Sequence, residues 1–435
     1  MTKCREVLAA GLLALSFVAA PPRTIAAERA PLRAGASRVD ITPTDLTGLT
    51  NMWRTPLEKV RDRIYVRALV LASGSATAAL VAAELLEFGD TGSLRGQIER
   101  ETGIPADSVL IAPTHAHTTP RVGVLSTGAS AVVGGAGTAA YTVKAYADIV
   151  EAVRQAKAGL QPARFGIGKG MSDVNVNRDE YTPKGYIWGN VLDGPSDKTV
   201  WVARFEKLSG EPVAFFINHG VHSVVMGPDT RELTGDLGGA VSRFVEEYFG
   251  NDVVALWTVG AAGDQNSRYQ NWDPNSGKPR EPGFGLMEAL GRMQGEEVVR
   301  VAGSITRMSD QAAVWTAHRT VTCPGQRADR EAARRGEPAF TDIGPVDLRL
   351  SLLMLGNVAF AGVSAEVYTR IYDHLREDSP FTNTILLSMV NDRLGYLIDD
   401  QSYGRTYRPA FGVPVRRGCA EPGIVDGFVE MMSQY

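Results

Sequence analysis

The chain has 435 residues, with 45 lysines and arginines against 49 aspartates and glutamates, for a net charge of −4. That balance, without a basic stripe, excludes the electrostatic footprint of a nucleic-acid-binding protein. Gly and Pro fall singly between periodic segments with no repeat or low-complexity tract, so one body over residues 28–435 is expected.

The first element is a leader. Lys3 and Arg5 precede an apolar run from Val7 to Ala20, and the small residues Ala26 and Ala27 follow. This is the order of a signal peptide over residues 1–27, cleaved near Ala27. The run falls short of the ~20 residues that span a bilayer. A periplasmic or secreted protein without a transmembrane anchor is therefore expected, with transient contact at a membrane surface left open. Cys4 lies ahead of the run and cannot serve as a lipid anchor. Of the remaining cysteines, Cys323 and Cys419, an oxidising compartment predicts a bridge, the alternative being two unrelated buried thiols.

Strands rich in Val, Ile and Leu are predicted at 64–72, 77–85, 109–112, 200–205, 213–217, 253–259, 348–355, 358–363 and 385–390. Helical periodicity is clearest over 139–158, 238–249, 286–301 and 367–376. Short turns such as SGSA and LSGEP join some strands as hairpins. The expected class is α/β, with mixed β-sheets, two of them stacked, flanked by helices.

Only six histidines occur, and four sit in two pairs, His115 with His117 and His219 with His222. Each pair follows an apolar strand, where side chains can converge over a rigid backbone. Neutral imidazole is a common zinc ligand, and catalytic zinc draws its ligands from separate chain segments. A hydrogen-bonded loop pair would read the same way. If the segment stays extended, His115 and His117 point to the same side, one to a metal and the other to substrate. His318, in an alternating strand-like run, and His374, on a charged helix, read as structural or solvent-facing.

GASRVDITP, VRDRIYVRALVL, THAHTTP, the NVNR of Asn175 to Arg178, HG at His219, TGDLGG, GAAGDQN, the SAE of Ser364 to Glu366, and GYLIDDQSYGRTY occur in that order. In this the chain resembles the neutral/alkaline ceramidase family over nearly its whole length beyond the leader. The resemblance implies one Zn²⁺ held by His115, His219, Glu366 and Tyr396. It places His117 and Arg178 on the substrate-facing wall and matches a further family tyrosine to Tyr407. Without it, Glu366 would read as a helix N-terminal acid and Tyr396 as an ordinary half-buried aromatic.

Two departures accompany the resemblance. Where the family carries a serine treated as catalytic, this chain has Asn266, and an amide cannot be a nucleophile. Metal-activated water then becomes the expected nucleophile, with Asn266 donating a hydrogen bond to the oxyanion. Ser267 stands one place away. The family's C-terminal sandwich domain is also expected to be absent. The leading expectation is hydrolysis of an N-acyl amide, in ceramide or a related N-acyl lipid, to fatty acid and amine. A zinc hydrolase of another ester, lactone or small acylated metabolite is the second reading. A non-catalytic periplasmic zinc- or ligand-binding protein is the third.

Overall fold

The computed structural model describes residues 29–123, 136–281, 283–334 and 339–435. The leader read over 1–27 lies outside them. Two sheets stack face to face. In the larger, eight strands run Val254–Val259, Pro212–His219, Thr199–Lys207, Gln161–Met171, Ala30–Asp40, Tyr65–Ser73, Ala76–Ala83 and Val109–Pro113, and Gln311–Ala312 pairs off Ala30–Asp40. The smaller runs Val314–Ala328, Phe340–Leu355, Val358–Val363 and Asn383–Ser388.

Side chains alternate across a strand, and here that alternation builds four layers. Leu69, Leu71, Leu80, Trp201, Phe216 and Leu256 of the large sheet meet Leu353, Leu355, Phe360 and Leu387 of the small one. The other face of the large sheet buries Val66, Val81 and Ile111 under helices Gly92–Thr102 and Ala136–Ala158. Further along that face, Val202, Ile217 and Trp257 lie under Asp236–Phe249 and Phe284–Ser304. Helices Thr369–Asp378 and Ala420–Met432 cover the outer face of the small sheet. The class expected from sequence, mixed stacked sheets flanked by helices, is the observed one.

Two strands of the large sheet escape the hydrophobic pattern. In Gln161–Met171, a Cβ on Gly166 or Gly168 would collide with Ile305, and one on Gly170 with Glu297 and Val301. Helix Phe284–Ser304 and the turn after it crowd this strand so closely that glycine replaces the apolar residue a pattern search needs. Gly35 of Ala30–Asp40 similarly lies against the backbone of Ala156 and Gly159.

Cys323 and Cys419 are bridged, with Cα atoms 5.8 Å apart across 96 residues. The bridge ties the edge strand of the small sheet to helix Ala420–Met432. Closing a loop of that length restricts the unfolded chain by about 4 to 5 kcal/mol in the chain-entropy account. A reductant should accordingly lower the melting temperature by several degrees, and an unchanged melting curve on complete reduction would contradict that contribution.

No helix among the described residues is long and apolar enough to cross a membrane. Within the two stacked sheets, three of the strand pairs are parallel, Ala76–Ala83 with Val109–Pro113, Pro212–His219 with Val254–Val259, and Val358–Val363 with Asn383–Ser388. Segments leaving the carboxyl ends of these strands supply the chemistry.

Candidate metal centre

Strand Val109–Pro113 runs directly into Thr114 and His115. His115 is not extended. Its φ is 59°, a left-handed conformation that costs a non-glycine residue energy and recurs at functional sites. The sharp turn, rather than strand alternation, brings His115 and His117 together, with their Nε2 atoms 3.4 Å apart. The second loop leaves Pro212–His219 through a tight turn, and it is stitched to the first. Ser223 Oγ donates to Thr114 O at 2.9 Å, and His117 N donates to Ser223 O at 3.2 Å.

The imidazole that this second loop presents belongs to His222. His115, His117 and His222 are buried, and their candidate ligand atoms lie within 4.8 Å of one another, so these three histidines could hold a metal ion. His219 is not brought there. It ends the strand on the same face as Phe215 and Ile217, which looks toward helices Asp236–Phe249 and Phe284–Ser304, and its ring lies 6.5 Å from that of Trp257. The register of its strand turns it away from the cluster.

Glu366 and Tyr396 sit side by side on a two-residue parallel ladder. Glu366 Oε2 is 3.0 Å from His222 Nε2 and 3.5 Å from His115 Nε2. His115 Nδ1 donates to Leu86 O at 2.7 Å, which leaves Nε2 facing the cluster. His222 Nε2 lies 3.2 Å from Arg178 Nη2, which can only donate, and 3.0 Å from the Glu366 carboxylate, which can only accept, so no single proton placement satisfies both contacts. Burial drives His117 and His222 well below the ordinary imidazole pKa. Burial would raise the Glu366 carboxyl, yet charge on His115 and His222 and hydrogen bonds donated from them hold it well below the usual carboxylate range. Two imidazole nitrogens and a carboxylate oxygen thus face one another. Such a grouping suits a cation.

Around this cluster, Arg178 Nη1 donates to Asn266 Oδ1 at 2.7 Å, and Nη2 donates to Gly263 O at 2.8 Å. Asn266 lies on the short strand Gln265–Ser267, which pairs with Asn175–Thr182 and so aligns the amide with Arg178. Its Nδ2 is buried without a hydrogen-bond partner, as is the Tyr407 hydroxyl. Ser267 Oγ is occupied, donating to His222 O at 3.0 Å. Tyr407 stacks on Trp188, which contacts Trp272 edge-on. Trp272 meets Trp53, and Trp53 packs against His117.

Of the residues singled out from sequence, the structure therefore gathers His115, His117, Arg178, Asn266, Glu366 and Tyr396, sets Tyr407 beside them, and leaves His219 apart. Sequence reasoning did not assign His222, the three tryptophans or Arg408. For His222 a signal was present, since the pair NHGVHS offers two rings and only the residue beyond the strand end is free to turn.

His219 carries its own expectation. Burial lowers its pKa to about 4 from 6.5. Between those values the unfolded chain binds a proton that the folded chain refuses, so stability is lost as pH falls through this window. At pH 5 the contribution is about 2 kcal/mol. Denaturant unfolding at pH 5 and pH 7 should show a smaller acid loss in His219→Gln than in the parent. Equal losses would indicate that His219 is not held neutral.

The fold and the cluster define an α/β sandwich with a buried site able to hold a metal ion. No family model matches the chain, and no curated protein matches it in sequence. Among solved structures it is similar to neutral ceramidase from Pseudomonas aeruginosa, with a TM-score of 0.71 and 16% identity over 93% of this chain and 74% of that one. A ceramidase complexed with C2 is similar to the same degree, with 75% of its chain covered. The shared fold is that of these ceramidases.

Proposed function

We propose that the protein is an exported, zinc-dependent hydrolase that cleaves an N-acyl amide bond in a lipid or other acylated small molecule, releasing an acid and an amine. The observation that carries this reading is the convergence of His115, His222 and Glu366, with Tyr396 alongside, on one buried point that also receives Arg178 and Asn266. The ceramidase fold supports the substrate class, and the disulfide supports an oxidising compartment.

His115, His222, Glu366 and Tyr396 would hold the ion, and the mixed nitrogen and oxygen donors suit Zn²⁺. Bound there, it would supply Lewis-acid activation of the acyl carbonyl and of water. The remaining work falls to the chain. Arg178 is fixed by Gly263 O and Asn266 Oδ1, so its charge is preorganised beside His222. Asn266 Nδ2 has no other partner and would donate to the oxygen that gains charge as the carbonyl becomes tetrahedral. His117, neutral and packed on Trp53, would line the approach and exclude water. A cavity of about 440 Å³ that includes Met52, Leu394, Tyr396 and Phe411 adjoins this point and would admit the substrate.

The test is turnover of an N-acyl amide panel by purified protein with and without chelator. Hydrolysis that disappears on chelation and returns with Zn²⁺ is expected. One ion bound per chain with no turnover on any acyl amide or ester would instead favour a binding protein.

A further inference from the structure

Among the described residues three arginines are fully buried, Arg67, Arg178 and Arg408. Arg67 is paired with Glu84 and Glu246, as a buried charge requires. Neither Arg178 nor Arg408 has an ion pair among the described residues. Arg408 follows Tyr407 at the start of a single 3₁₀ turn, and its Nε and Nη2 are buried with no hydrogen-bond partner. Its guanidinium lies over the rings of Tyr407 at 4.1 Å, Tyr396 at 4.7 Å, Phe411 at 5.2 Å and Trp188 at 5.4 Å. Arg178 shares two of those rings, Trp188 and Tyr396. The nearby acid, Asp179, is already engaged, accepting from Tyr368 Oη at 2.9 Å and Thr406 Oγ1 at 2.7 Å. The adjoining cavity adds Arg327, Arg330 and Arg393 to its lining, the last paired with Glu87, and no carboxylate among the described residues.

Ring faces can hold a guanidinium by cation–π attraction, but they leave its in-plane N–H donors unsatisfied. Leaving two such charges buried side by side is costly unless an anion joins them. Resting on the hydrolase reading above, we propose that Arg408, with Arg178 beside it, receives a carboxylate carried by the substrate a few bonds from the scissile acyl bond. The planar fork matches a carboxylate in a bidentate manner. The separation follows from the site, because Arg408 lies against the ring of Tyr396, whose hydroxyl faces the metal cluster's Glu366. The favoured substrates are then small acidic N-acyl compounds, in preference to neutral N-acyl alcohols.

The experiment compares kcat/KM for N-octanoylglycine, its neutral counterpart N-octanoylglycinamide, and the mono-octylamide of butanedioic acid, using the full chain loaded with zinc. A carboxylate on the amine side favours the first, and one on the acyl side favours the last. Either acid should exceed the neutral amide by roughly 100-fold or more, since a site built for a buried polar group rejects the analogue that lacks it. In Arg408→Gln that ratio should fall toward one, and Arg408→Lys should keep part of it. A second readout needs no turnover. N-octanoylglycine should raise the melting temperature of the metal-free parent and not that of Arg408→Gln, whose own melting temperature without ligand should equal or exceed the parent's. Equal rates on acid and neutral amides, with no thermal shift, overturn the proposal while leaving the hydrolase standing. An Arg408-dependent shift with no hydrolysis of any amide supports the anion site and overturns the hydrolase.

Discussion

Replacing His222 with glutamine is expected to reduce bound zinc from one ion per chain toward none and to reduce hydrolysis to the uncatalysed background, whereas His219→Gln should keep both. The two residues are three apart, but Pro212–His219 ends at the first of them. His219 therefore keeps strand register and points to the helical layer, and His222, beyond the turn, reaches Glu366 at 3.0 Å. Removing His222 also leaves Glu366 and Arg178 facing each other without the ring between them, so a collapsed Arg178–Glu366 pair would occupy the point where the ion would sit. Elemental analysis of both variants after dialysis distinguishes them directly. Zinc retained in His222→Gln and lost in His219→Gln would reverse the assignment.

The contrast shows what could be read from the sequence and what could not. The strands Val109–Pro113, Pro212–His219, Val254–Val259 and Val358–Val363 announce themselves through continuous apolar runs buried on both faces. Their ends mark the site with equal clarity. Which histidine of a pair faces it depends on where the strand stops, and element boundaries are what hydrophobic pattern defines least. His115 illustrates the same limit, because extended geometry would have aligned it with His117 and a left-handed backbone does so instead. Arg408 was illegible for a different reason. An arginine between Tyr407 and Pro409 reads as a solvated loop residue, and only the packing of Trp188, Tyr396 and Phe411 around it reveals that the charge is buried.

Asn266→Ala should lower turnover by about 10² to 10³, the effect of losing one oxyanion donor, with little change in bound zinc. The amide's Oδ1 is committed to Arg178 at 2.7 Å, which orients the side chain and leaves Nδ2 as a fixed, unshared donor. A preorganised donor of this kind acts when charge develops, so the loss should fall on kcat more than on KM. Asn266→Ser is the complementary variant. If water is the nucleophile, the installed hydroxyl offers nothing the water lacks, and no gain in rate is expected. Ser267 is a poor substitute because its hydroxyl is spent on His222 O. Rapid-quench measurements on the parent should therefore show no burst of acyl-enzyme. A stoichiometric burst would move the nucleophile onto the protein, and Ser267→Ala would then be expected to abolish it.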